Sequence, residues 1–321
     1  MITLPSRVQL DTLPSLIPEL EDAASCDELV LDLRDVEAVE GHAGPVLAVL
    51  LLSGFGDVDA EIFPPRSDEL LARTGIAFAL ANRPGKTSVL GEDASMKWPA
   101  WRQSWVPGSR ATVDALFRPE AVGESADAPN LIGRRYAAFV NPHLARPSGE
   151  HHEVVNLLHP WLRELLPRSQ RTGGLLDDFG SIVTELVENV RQHAPRTASG
   201  RPARSLVQVW WTHGAEDRLY VSVLDTGPGI LATARGKVVD GHRLKADELL
   251  HGLLVGKVAR RDPTRGFGLP DVWKMADTRG AGLWLSTADR VLSCEGGEPH
   301  VRPVSTQVDG TVVTLRFTLG T

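Results

Sequence analysis

The clearest hydrophobic period in the chain falls at Phe179–Pro195, FGSIVTELVENVRQHAP. Ile182, Val183, Leu186, Val187 and Val190 recur at three- and four-residue spacing, which predicts an amphipathic helix. Glu185, Asn189 and His193 stack one turn apart on an adjoining face. A second period, of two residues, runs through Tyr220–Leu224 and predicts a strand ending at Asp225. It leads into Thr226-Gly227-Pro228-Gly229-Ile230, which is good turn chemistry anywhere and also lets backbone approach a ligand closely. Leu206–Trp211 is expected to pair with Leu219–Leu224 as a hairpin. Downstream, Thr264–Leu269 (TRGFGL) is a short glycine loop before a helical pattern, PDVWKMAD, with proline near its start. Gly310–Phe317 (GTVVTLRF) alternates as a closing strand.

The first third of the chain has another rhythm. Leu13–Ala24 reads as a helix and Glu28–Arg34 (ELVLDLR) as a strand. Val36–Leu52 reads as a glycine-containing turn before an apolar helix. Val58–Pro64 follows as a strand and Ser67–Ala81 as a helix capped by Ser67. This alternation predicts a small α/β layer with parallel strands. Between the two regions the pattern fades. Trp98, Trp101 and Trp105 cluster in Lys97–Gly108, where stacked bases are one reading and an apolar face between domains the preferred one. Glu120–Asn130 reads as a loop, and Arg134–Pro142 as a strand entering the second domain.

Composition narrows the function. At 321 residues, two domains are expected, and 42% hydrophobic content supplies their cores. A net charge of −7 argues against a dedicated nucleic-acid binder. Cys26 and Cys294 form no metal spacing and no disulfide framework. The start of the chain lacks a signal pattern, and the longest apolar run, Pro45–Leu52, is far below the ~20 residues of a membrane helix. A cytoplasmic protein with no membrane association is expected.

Taken in order, TELVENVRQHA, LDTGPGI, RGFGLPDV and GTVVTLRF resemble the motifs of the GHKL (Bergerat-fold) ATP-binding domain over about residues 150–319. Among that superfamily the anti-sigma-factor serine kinases are the most similar. The resemblance implies an α/β sandwich, a mixed sheet with helices on one face, over residues 146–321. It implies ATP and Mg²⁺ as cofactors, with Asn189 on the metal and Glu185 as general base. Asp225 would take the adenine amine, supported by Thr311. Gly227, Gly229 and Ile230 would make room for the nucleotide. Arg265, Gly266, Phe267, Gly268 and Leu269 would meet the phosphates, and Leu231–Arg265 would form a mobile lid. Within that lid, Ala246–Ala259 reads as an amphipathic helix interrupted by Gly252 and Gly256.

Residues 1–90 resemble a STAS domain, the fold of anti-sigma-factor antagonists, with 91–145 as the linking segment. Where that family carries a phosphorylated serine, this chain has Glu40-Gly41-His42-Ala43-Gly44, without a hydroxyl. His152-Glu153 with Asn156 partly resembles the phosphoacceptor box of histidine kinases. Only one helix fits there, so a helix-face histidine is the preferred reading. The functions implied are a regulatory serine/threonine kinase or ATPase, or an ATP-controlled switch with little turnover. Its partners would be ATP and a regulatory protein, with a second copy of the chain as a candidate.

Overall fold

The computed structural model describes residues 1–24, 28–54, 59–63, 87–89, 136–140, 174–212, 216–259 and 268–319, with positions 155, 158, 159, 162, 163 and 166 between them. The expected helix over 67–81, the tryptophan cluster, the 120–130 loop, His152 and residues 260–267 lie outside the described residues. The chain divides into two units, Met1–Val140 and Asn141–Thr321.

In the first unit, β1 (Ile2–Thr3), β3 (Glu28–Asp32), β5 (Asp59–Phe63) and β6 (Thr87–Val89) form a sheet in that order, and every pairing is parallel. A separate pair joins β2 (Arg7–Val8) to β4 (Ala38–Val39). Helix α1 (Leu13–Ala24) follows the expected bounds with Pro18 inside it. Helix α2 starts at Ala43 and runs to Gly54, with Val46, Leu47, Ala48, Val49, Leu51 and Leu52 all buried. An apolar helix that is buried all round belongs in the middle of a small α/β core. Leu29 and Leu31 on β3 and Ile62 on β5 supply the sheet's share of that core. Strand β6 has too few alternating residues to be recognised from the sequence.

The second sheet is antiparallel through its described pairings, in the order β10 (Gly282–Cys294), β11 (His300–Leu319), β9 (Asp217–Asp225), β8 (Ser205–Thr212), β7 (Tyr136–Val140). Strand β7 is its edge. Helix α3 (Leu175–His193) buries Phe179, Ile182, Val183, Leu186, Val187 and Val190, the stripe that its period predicts. The Phe179 and Phe317 rings lie 6.0 Å apart, which places α3 on the sheet face bearing Val313, Leu315 and Phe317. Asp177 and Asp178 at its start and Arg191 and His193 at its end oppose the helix dipole favourably. The opposite face of the sheet carries stacked Trp210 and Tyr220, 4.9 Å between centroids, and a buried Thr314 hydroxyl donating to Ser222 Oγ.

Two expectations on bounds need correction. The predicted helix over 246–259 ends at Leu254, as α5 (Ala246–Leu254). Gly256, at φ 70, follows as its terminator, and Lys257 N–H returns to the Gly252 carbonyl at 2.9 Å. That is a Schellman closure, in which a left-handed glycine ends the helix rather than weakening its interior. The sequence predicts a strand over Leu283–Ser286, and β10 extends well past it, to Cys294. Two further helices are α4 (Ile230–Lys237) and α6 (Leu269–Thr278). Among the described residues no helix is long and apolar enough to cross a membrane.

Candidate functional site

Helix α3, the tips of β9 and β11, and the starts of α4 and α6 enclose one cleft. It is lined by Asn189 and His193 from α3, Asp225 from β9, Ile230 from α4, Leu269 from α6 and Thr311 from β11. Its walls are apolar, with Leu186, Val190, Val223 and Val313 among them. About 570 Å³ is free of atoms, open solvent at the mouth included.

At the inner end, Asp225 is 5% exposed. Burial pushes its carboxyl from the ordinary 3.8 up to about 7, and a hydrogen bond from Gly227 N–H only partly opposes this. That bond reaches Oδ1 at 2.7 Å. The turn holding it is tight, because a Cβ on Gly227 would meet Asp225 Oδ1 at 2.8 Å. Thr226 ties the turn to the residue just before β8. Its N–H donates to the Arg204 carbonyl, and its hydroxyl accepts from Arg204 N–H, both at 2.9 Å. Thr311 pairs in register with Asp225, and its hydroxyl accepts from Ile230 N–H at 3.1 Å. Gly229 caps α4 at φ 81, with no room for a side chain beside the Gly310 carbonyl.

At the outer end, α6 starts at Gly268, held at φ 65. A Cβ there would run into Glu185 Oε2 and come within 3.0 Å of Asn189 Nδ2. Glycine is therefore required twice over, by its left-handed backbone and by the approach of the α3 side chains. The Glu185 carboxyl is raised from its usual range, first by partial burial and then by the carboxylates of Asp271 and Glu188.

The structure thus brings Asn189, Asp225, Gly229, Ile230, Leu269 and Thr311 to one cleft. Gly227 supports Asp225 from outside that lining, and Glu185 and Gly268 stand together beside Asn189, also outside it. Arg265, Gly266 and Phe267 lie outside the described residues. His193 lines the cleft and takes a 2.6 Å bond at Nδ1 from Lys237 at the end of α4. Three contributors escaped the sequence reading. Lys237 carried no motif, Asp271 lay inside RGFGLPDV without a role of its own, and Thr287 looks like any strand threonine. The expected lid region contains α4 and α5, and in α5 Leu249, Leu250, Leu253 and Leu254 are fully buried.

The residues fit the groups that the motif resemblance implies. Asp225 is a buried acceptor at the end of an apolar slot, suited to an exocyclic amine. Asn189 offers one neutral oxygen, compatible with a Mg²⁺ ion that keeps water and phosphate oxygens as its other ligands. Among the described residues no group of three or more His, Cys, Asp or Glu could hold a metal alone.

No known family matches the chain in a scan against family models, and no curated protein matches it. Among solved structures, the chain is similar to the histidine kinase domain of a blue-light activated histidine kinase from Erythrobacter litoralis. The identity is 20% and the TM-score 0.24, over 45% of this chain and 44% of that one. The chain therefore matches less than half the length of that relative.

Proposed function

We propose that the second unit binds Mg·ATP in this cleft and is a regulatory phosphotransferase or ATPase of the GHKL type, nearest to the anti-sigma-factor serine kinases. One observation carries the reading: the acidic strand tip at Asp225 and the Asn189 helix line the same apolar cleft. Asp225 accepts the adenine amine, with Thr311 beside it. Asn189 would hold the metal, and the start of α6 at Gly268 and Leu269 would meet the phosphates. Bound Mg·ATP supplies an activated γ-phosphoryl group with its charge neutralised. Glu185 Oε2 accepts the proton of the attacking hydroxyl, and partial burial beside two carboxylates suits it to hold that proton. The first unit and a regulatory protein partner would set when this happens.

A second reading is an ATP-controlled switch with little turnover. His42, which stands where the STAS family carries its phosphorylated serine, is 5% exposed. Burial lowers its pKa to about 3, so it is neutral and closed to modification. A kinase would then have no target in that turn of its own chain.

Incubation with γ-labelled ATP and Mg²⁺, alone and with candidate antagonist proteins, tests both readings. Label on a protein hydroxyl identifies a kinase, free phosphate an ATPase, and tight binding with neither a switch. Absence of ATP binding would overturn both.

A further inference from the structure

Thr287 on β10 has no exposed surface, yet it carries a hydroxyl, and its surroundings in the sheet are irregular. It pairs in register with Thr311. Directly after that pair the register shifts twice, between Thr287 and Ala288 and again between Ala288 and Arg290. Ala288 sits at φ 50 and Gly310, on the facing strand, at φ 119. Thr287 Oγ1 donates to the Gly310 carbonyl at 2.9 Å. A third segment meets the same point: a Cβ on Gly229 would lie 2.7 Å from Thr287 Oγ1 and 2.8 Å from the Gly310 oxygen. One buried hydroxyl therefore stands where β10, β11 and the start of α4 converge.

Bulges bend a strand and re-aim the side chains beside them, and backbone strain persists only where neighbours over-determine it. Gly310 immediately precedes Thr311, and a glycine in that conformation has no side chain to hold its peptide plane. The Thr287 hydroxyl supplies that hold. It fixes the carbonyl of the peptide that joins Gly310 to Thr311, and so the direction in which Thr311 leaves the bulge. Thr311 then meets Ile230 N–H on one side and Asp225 in register on the other.

We propose that Thr287 is a positioning residue for purine recognition, acting through the Gly310 carbonyl to aim Thr311 beside Asp225. This rests on the reading of the cleft as an adenine-nucleotide site. A threonine that merely fills space makes the opposite prediction about its substitutions. Valine keeps the shape and loses the hydroxyl, whereas serine keeps the hydroxyl and loses a methyl group.

The test is calorimetric titration of the full chain with Mg·ATP, Mg·ITP and Mg·tripolyphosphate. For Thr287→Val we expect ATP affinity to fall about tenfold, the ATP-over-ITP preference to shrink, and tripolyphosphate affinity to stay within twofold of the parent. Thr287→Ser should bind all three within about twofold of the parent. ATP binding by Thr287→Val at the parent level would overturn the assignment, as would equal losses in Val and Ser or a parallel loss for tripolyphosphate. If Thr287→Val does not fold, Ser against Ala isolates the hydroxyl: loss in Ala alone supports the assignment, and equal binding overturns it. A parent protein that binds no adenine nucleotide would instead sink the reading of the cleft.

Discussion

Replacing Asp225 by asparagine tests the acidic strand tip in both stability and binding. Asparagine keeps an oxygen for Gly227 N–H, now held at 2.7 Å, but it cannot ionise. The Asp225 carboxyl is raised from 3.8 to about 7 by burial, a difference corresponding to about 4 kcal/mol. Below pH ~4 the carboxyl is protonated in folded and unfolded chains alike, so burial carries no penalty there. Between pH ~4 and ~7 the unfolded chain releases this proton while the folded protein keeps it, and stability falls as pH rises. Asp225→Asn escapes that loss. Its advantage over the parent should be roughly 2 kcal/mol at pH 5 and roughly 4 kcal/mol at pH 8, read by urea unfolding without nucleotide. Binding should move the other way. The second carboxylate oxygen becomes an NH₂ donor facing the donor amine of adenine, so ATP affinity should fall by about 100-fold or more. ITP, whose 6-oxygen accepts, should lose less. A stability difference independent of pH, or a variant less stable than the parent at pH 8, would refute the desolvation argument. Unchanged ATP affinity would refute the recognition argument.

Asn189→Ala should abolish Mg²⁺-dependent ATP binding, and Mg²⁺ titrated without nucleotide should give no binding heat in the parent, since no cluster of protein ligands among the described residues could hold it. Metal binding by the nucleotide-free protein would point to a different site. Glu185→Ala should bind ATP as the parent does and lose turnover in the γ-label assay; full turnover would remove Glu185 as the base. Gly310→Ala forces a side chain into the Asp225 carbonyl at φ 119, and a loss of about 3 kcal/mol or more in urea unfolding is expected. A loss below about 1 kcal/mol would mean that the strand tips move apart easily.

Much of the second unit was legible because its signals are periodic. The α3 stripe, the β8–β9 hairpin, the proline-started α6 and the alternation of Gly310–Phe317 each carry a pattern that no other local structure satisfies as well. The lower half of β10 was not legible. Asp289 and Arg290 break its alternation, and a bulge has no hydrophobic signature of its own. Gly256 misled for a related reason: a glycine after a leucine run reads equally as a weak interior position or as a terminator, and only its φ of 70 decides. Within the cleft, Asp225 and Asn189 stand in recognisable motifs, so the sequence alone singles them out. Thr287 acts through a neighbour's carbonyl, and that depends on register, which sequence alone does not fix.

The two ends of the central strands differ in a way that bears on mechanism. From Asp217 to Asp225, β9 pairs with β11 at nine successive positions without a shift. The regular end is closed by Phe317 against Phe179. At the other end stand a buried carboxyl driven up to about 7, Ala288 at φ 50, and glycines at φ 81 and 119. Each of these is unfavourable for folding alone, and conflicts of this kind are expected where function overrides stability. The strain lies where a ligand amine would satisfy the carboxylate, so nucleotide at 100 times its Kd, contributing about 2.7 kcal/mol, would offset most of the Asp225 penalty. Occupancy of the cleft would then stabilise the strand tips in particular. The paired end, with no such conflict, holds the sheet together whether or not the cleft is filled.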